Sequence, residues 1–166
     1  MSKPKVLILI GSDSDLSVIE EGVRVLRQAG AGVKLDISSA HRNPEKTAEY
    51  ARTARDRGFE VIIAAAGLAA HLPGVIAAHT TLPVIGIPMG GGSLNGVDAV
   101  LSILQMPTGV PVATVGIGAA RNAAILALQI LSIKYPAVAE KLKEMKAELK
   151  RENDEKSARL EGYSDN

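Results

Sequence analysis

Cysteine and tryptophan are absent from the 166 residues. Without cysteine there are no disulfides, thiolate metal ligands or cysteine nucleophiles, which fits a reducing compartment. One Phe and three Tyr are the only aromatic residues. That is too few for the ring platforms on which bases stack. An excess of either charge is also lacking: 19 Lys and Arg face 18 Asp and Glu, a net charge of +1. Nothing in that balance calls for nucleic acid. No apolar run is long enough to span a bilayer. The run Val6–Ile10, after the basic start Met1–Lys5, is too short for a signal-peptide core, and Asp13 and Asp15 follow at once. The expectation is a cytoplasmic protein with neither nucleic-acid nor membrane partners.

What is present is an ordinary globular composition, 46% hydrophobic and 22% charged. The length suits a single domain over residues 1–166. Five short β-branched or apolar runs recur along it: Val6–Ile10, Val33–Ile37, Val61–Ala66, Val84–Ile87 and Val112–Val115. Most are apolar throughout rather than alternating, as in strands buried on both faces. Helical patterns lie between them, so the expected class is α/β with a parallel five-stranded sheet. Leu16, Ile19, Val23 and Leu26 recur at helical spacing, with Gly30 placed as a stop. Asn43 and Pro44 read as N-cap and first helical residue of a second helix that ends before Gly58. Further helices are expected over about Leu94–Leu104 and Ala119–Ile133, and His79 falls inside another helical pattern as a structural residue.

The α/β core is expected over 1–134 and a long C-terminal helical extension over 135–166. Ala139, Leu142, Met145 and Leu149 form a narrow apolar stripe on that charged helix. Glu152–Lys156 and Glu155–Arg159 are favourable pairs four apart. A stripe left in water is unfavourable, so the helix is expected to pack on a neighbouring subunit.

In an open parallel sheet, ligands bind beyond the carboxyl ends of the strands. Here those ends carry Gly11-Ser12-Asp13-Ser14-Asp15, Ser38-Ser39-Ala40-His41-Arg42, Gly67-Leu68-Ala69-Ala70-His71-Leu72-Pro73-Gly74 and Pro88-Met89-Gly90-Gly91-Gly92-Ser93. The first segment joins a strand to a helix start, which favours phosphate, with Ser12 and Ser14 as added donors. Asp13 and Asp15 repel phosphate and suit sugar hydroxyls or helix capping. Arg42 is permanently charged and suits phosphate. His41 is of the one side-chain type that normally exchanges a proton near neutral pH. Gly67, Ala69 and Ala70 let backbone approach a ligand closely, and His71 stands near a helix start as a cap or a contact.

Other chemistries lack their motifs. Histidines at 41, 71 and 79, without cysteine, make no metal-binding pattern. Gly91-Gly92-Ser93-Leu94-Asn95 lacks the last glycine of a nucleophile elbow. Gly116-Ile117-Gly118-Ala119-Ala120-Arg121 puts Arg where a dinucleotide fingerprint needs Gly or Ala, and it follows the last strand. A phosphoacceptor domain needs Asp where the third strand ends in Ala64-Ala65-Ala66.

From about Val6 to Ile133 the chain resembles the N5-carboxyaminoimidazole ribonucleotide mutases, the small catalytic subunit of phosphoribosylaminoimidazole carboxylase. Gly11-Ser12-x-Ser14-Asp15, Ser39-Ala40-His41-Arg42, Ala69-Ala70-His71-Leu72-Pro73-Gly74 and Gln105-Met106-Pro107 match that family's motifs in order and spacing. The resemblance implies a flavodoxin-like three-layer sandwich and a homo-octamer with sites at subunit contacts. It implies no metal and no organic cofactor. The reaction it implies is conversion of N5-carboxyaminoimidazole ribonucleotide to the C4-carboxylated isomer in purine biosynthesis. Ser12, Ser39 and Arg42 would hold the phosphate and Asp15 the ribose. Gly67, Ala69, Ala70, His71 and Leu72 would enclose the carboxylate or released CO2. His41 would be the general acid and base.

Two positions depart from the mutase branch, which usually has Gly at Ala65 and at Leu68. Leu68 is similar to the sister branch, which carboxylates aminoimidazole ribonucleotide directly with CO2. The complete 69–74 run belongs to the mutase branch. A non-catalytic flavin or nucleotide carrier of the same fold is the alternative of another class. Flavin is usually clamped by aromatic rings, and none of this chain's rings lies in those loops except Phe59, before the third strand.

Overall fold

The computed structural model describes residues 3–161. Met1, Ser2 and the last five positions of the expected extension lie outside the described residues. Five strands, β1 (Lys5–Ile10), β2 (Gly32–Ile37), β3 (Val61–Ala66), β4 (Val84–Pro88) and β5 (Ala113–Thr114), form one sheet. All pairings are parallel, in the order β2-β1-β3-β4-β5. The helices are α1 (Leu16–Gln28), α2 (Pro44–Thr53), α3 (Leu72–His79), α4 (Val97–Leu104), α5 (Ala120–Ser132) and α6 (Pro136–Glu161).

Strand periodicity sorts the core into two layers. Val6, Ile8 and Ile10 of β1 join Ile63, Ile85 and Ile87 beneath α1 and α5. Leu7 and Leu9 point the other way and join Ile62, Ala64, Ile76 and Ile103 beneath α2, α3 and α4. Each such fully buried aliphatic side chain contributes about 1.5–3 kcal/mol relative to exposure. The result is a helix–sheet–helix sandwich of flavodoxin-like form, as the sequence leads one to expect. Gly22 lets the helices of one layer approach. A Cβ there would lie 2.7 Å from the Ala120 carbonyl oxygen.

β1, β3 and β4 are buried on both faces, apart from the first residue of β1. β2 departs from that expectation, being only half-buried because it is an edge strand. Its Asp36 accepts hydrogen bonds from Tyr50 and Lys46, which holds α2 against the edge. β5, at the other edge, is shorter than the expected Val112–Val115. Pro111 has no N–H to donate just before it and Gly116 follows just after.

α2 begins as expected, with the Asn43 side chain accepting from the Lys46 N–H at 3.0 Å. α4 begins three residues later than expected because Asn95 and Gly96 have left-handed backbones (φ 48° and 92°). Gly96 is required there: a Cβ would sit 3.1 Å from both Ile117 Cγ2 and the Met89 carbonyl oxygen.

The apolar stripe of α6 divides. Leu142 and Met145 pack against the subunit's own core, whereas Leu149 is 51% exposed. The ion pairs along the described part of this helix are spaced three apart, Lys143–Glu140, Lys141–Glu144 and Arg151–Glu148, rather than the expected Glu152–Lys156 and Glu155–Arg159. No helix of the described residues is long and apolar enough to cross a membrane.

Candidate active site

β2 and β3 flank β1, so the chain crosses over in opposite directions on leaving β1 and on leaving β2. That is the switch point at which a doubly wound sheet opens a crevice. The loops after β1, β2, β3 and β4 converge there on a cavity of about 520 Å³. In this topology α1, α2 and α3 all start at that edge, and helix starts favour anions through their free N–H groups.

The loop after β1 begins with Gly11, whose N–H is bonded to the Ala65 carbonyl at 3.1 Å. Ser12 then caps a single 3-10 turn over Asp13–Asp15. The Ser14 hydroxyl lies 3.0 Å from Ser12 Oγ and 3.4 Å from Asp15 Oδ1. The loop after β2 is anchored from below. Ser38 Oγ and Thr47 Oγ1 share a buried hydrogen bond of 2.8 Å, and the Ser38 N–H bonds to the Ile10 carbonyl. Ser39 Oγ accepts from the Arg42 N–H at 3.3 Å. The Arg42 guanidinium forms no ion pair among the described residues, which leaves its fork of donors available to an anion.

Ser12, Asp15, Ser39, His41, Arg42, Gly67, Ala69, His71 and Leu72 all line the cavity. Ala70 does not: its methyl group is 1% exposed and packs in the layer beneath α3. Of the two departures, Ala65 is fully buried in the core, whereas Leu68 lines the cavity. His79 lies exposed at the end of α3, outside the cavity. Among the described residues, no three His, Asp or Glu are grouped to hold a metal ion.

One feature has no sequence signal. His41 Nε2 and His71 Nδ1 are 2.7 Å apart, with the rings edge to face at 80°. One nitrogen must donate and the other accept, so the two cannot both be fully protonated while bonded. His41 Nδ1 has no partner among the described residues. If His41 donates from Nε2, its acid–base state turns on Nδ1 alone.

The AIR carboxylase family model matches residues 5–152 of this chain. The chain belongs to the AIR carboxylase family. The N5-carboxyaminoimidazole ribonucleotide mutase of Pyrococcus horikoshii is 57% identical over 159 residues, covering 96% of this chain and 90% of the relative. That of Thermotoga maritima is 54% identical over 164 residues, covering 98% and 96%. The crystal structure of Treponema denticola PurE superposes with a TM-score of 0.80 at 26% identity, covering 99% of this chain and all of that one.

In this AIR carboxylase family member, burial lifts the Asp15 carboxyl above its ordinary value of 3.8. Hydrogen bonds from Ser12 and Ser14 pull it back down, and the Asp13 carboxylate adds to the rise. A raised folded-state value means that ionised Asp15 destabilises the fold. The penalty is full above that value and disappears as pH falls below the unfolded value. Asp15→Asn is therefore expected to raise Tm at neutral pH. Thermal melts across pH should show the gain shrinking to nothing in acid. A gain that persists at the lowest pH would refute this origin.

Proposed function

We infer that the protein is an isomerase that converts N5-carboxyaminoimidazole ribonucleotide to 4-carboxy-5-aminoimidazole ribonucleotide in purine biosynthesis. The observation that carries the reading is a histidine pair in the wall of a phosphate-compatible cavity, in a chain so similar to proteins named as this mutase. Arg42, Ser39 and Ser12 hold the phosphate, and Asp15 bonds the ribose hydroxyls. His41 is the general acid and base.

The N5–carboxyl bond breaks with its electron pair passing to N5, which takes the proton from His41 Nδ1. CO2 stays in the cavity. Ring carbon C4 then attacks it, and the proton displaced from C4 returns to Nδ1. The substrate is isomerised and His41 ends as it began. Throughout, His71 Nδ1 accepts from His41 Nε2, which holds one ring orientation. Gly67, Ala69, the Ala70 backbone, His71 and Leu72 enclose the carboxylate end. A cytoplasmic location suits a charged ribonucleotide that does not cross membranes unaided.

Direct carboxylation of aminoimidazole ribonucleotide is the second reading, favoured by Leu68. Rates with the N5-carboxylated ribonucleotide and with aminoimidazole ribonucleotide plus bicarbonate separate the two. The mutase reading expects fast turnover of the first and slow turnover of the second at physiological bicarbonate. The reverse order would assign the carboxylase.

We also propose that residues 1–166 act as a single domain whose extension drives assembly into a homo-octamer. The exposed distal half of α6, with Leu149 and Leu160 51% and 63% exposed, supports this. Truncation after Met145 keeps the part that packs on the subunit's own core. It is expected to lower the oligomer size in sedimentation velocity, and an unchanged size after mass correction would count against the role.

A further inference from the structure

Two polar side chains beneath the site are buried and do not reach the cavity: Ser38, 1% exposed, and Thr47, 0% exposed. A buried hydroxyl is costly unless it is bonded, and here both are bonded in one chain. Thr47 Oγ1 donates to the Asn43 carbonyl at 3.3 Å. A hydroxyl has a single hydrogen, so in the 2.8 Å bond between the two side chains Ser38 is the donor. The chain runs one way, from Ser38 through Thr47 to Asn43.

Ser38 and Asn43 bracket the loop that carries Ser39, His41 and Arg42. The Ser38 N–H bonds to the Ile10 carbonyl at the end of β1, and the Asn43 N–H bonds to the Ser39 carbonyl, each at 2.9 Å. Thr47 lies in the first turns of α2. The hydroxyl chain therefore ties the end of β2 to the start of α2 and closes the loop from beneath. Above it, His41 is exposed, and among the described residues its ring has one hydrogen-bond partner, His71. A loop this open takes its position from its anchors.

We propose that Ser38 and Thr47 are positioning residues for the proton transfers. Their hydroxyl chain fixes the loop so that His41 Nε2 meets His71 and Nδ1 is left to the substrate. Neither residue touches the substrate. The effect on turnover rests on the mutase reading. Misplacing a reacting group by about 1 Å can cost roughly 10²-fold. The long Arg42 side chain can follow its phosphate when the loop shifts, whereas the short arm of an imidazole cannot. Loss of the chain should therefore fall on kcat more than on binding.

Thr47→Val keeps the shape of the side chain but cuts the chain and orphans the Ser38 hydroxyl. It should lower kcat roughly tenfold or more and leave the Kd for the 4-carboxylated product within about threefold. It should also lower Tm, because a buried hydroxyl has lost its partner. Thr47→Ser restores the hydroxyl and should restore kcat. Adding Ser38→Ala to Thr47→Val removes the orphan, so Tm should recover while kcat stays low. A kcat that recovers with Tm in the double variant, or that is unchanged in Thr47→Val, would overturn the proposal. A second measurement needs no turnover. Carbon-13 at Cε1 gives each of the three His a signal of its own. Thr47→Val should move the His41 and His71 signals and Thr47→Ser should return them, with His79, outside the cavity, as the fixed reference. Wild-type protein that does not convert the N5-carboxylated ribonucleotide would refute the mutase reading. Unmoved His41 and His71 signals would refute the positioning role.

Discussion

Replacing His41 by Asn is expected to collapse turnover while leaving the affinity for the carboxylated product nearly unchanged. Asn has comparable size and some hydrogen-bonding capacity, but it cannot exchange a proton near neutral pH. General acid–base catalysis contributes roughly 10²–10⁴-fold, so the fall in kcat should be at least of that order. Binding should survive because the proposed phosphate and ribose contacts lie on other side chains. His71→Asn is the internal comparison. It removes the ring that bonds His41 Nε2 at 2.7 Å but leaves an amide able to take part of its place, so the loss should be smaller. The two effects should not add. Once His41 is gone nothing is left for His71 to orient, so the double variant should be no slower than His41→Asn alone. If His41→Asn turned over near the wild-type rate while His71→Asn was inactive, the proton transfers would belong to His71.

The second large effect should fall on binding. Hydrogen bonds to charged groups are worth about 1.5–3 kcal/mol each. Arg42→Ala is therefore expected to weaken product binding roughly 10- to 100-fold, at about 1.4 kcal/mol per factor of ten. Arg42→Lys should recover only part of this, because an ammonium keeps the charge but lacks the planar fork. The wild-type affinity should fall as salt is raised, and the Arg42→Ala affinity should fall less steeply. Isothermal titration with the 4-carboxylated ribonucleotide measures both. Equal affinities in all three proteins would reduce Arg42 to a solvated surface charge. The two predictions have opposite kinetic signatures, a loss in kcat for His41 and in Kd for Arg42, so one general defect in folding could not imitate both.

The sequence by itself determined most of the fold. β1, β3 and β4 are legible because central strands of a parallel sheet are covered on both faces and so read as unbroken apolar runs. The start of α2 is legible because capping is local: Asn43 and Pro44 meet the needs of a helix start within one turn. The edge of the sheet that carries the site is legible too, since each strand in a parallel sheet ends on the same side. Reading off the four loops was enough to collect Ser12, Asp15, Ser39, His41, Arg42, Gly67, Ala69, His71 and Leu72 at one cavity.

Only the tertiary structure decided the remainder. Gly96 delays α4 because of side chains and backbone far from it in the chain. Ala70 turns into the layer beneath α3 although its neighbours Ala69 and His71 face the cavity. Leu68 adopts a strained backbone that no local rule assigns to leucine, over a glycine 24 positions later. His41 and His71, separated by 30 residues, meet at hydrogen-bond distance because β2 and β3 pair with opposite sides of β1. Periodicity and capping act over a few residues and are written in the order of the side chains. Contacts between loops depend on sheet order and crossover, which bring distant segments together through packing that no short stretch encodes.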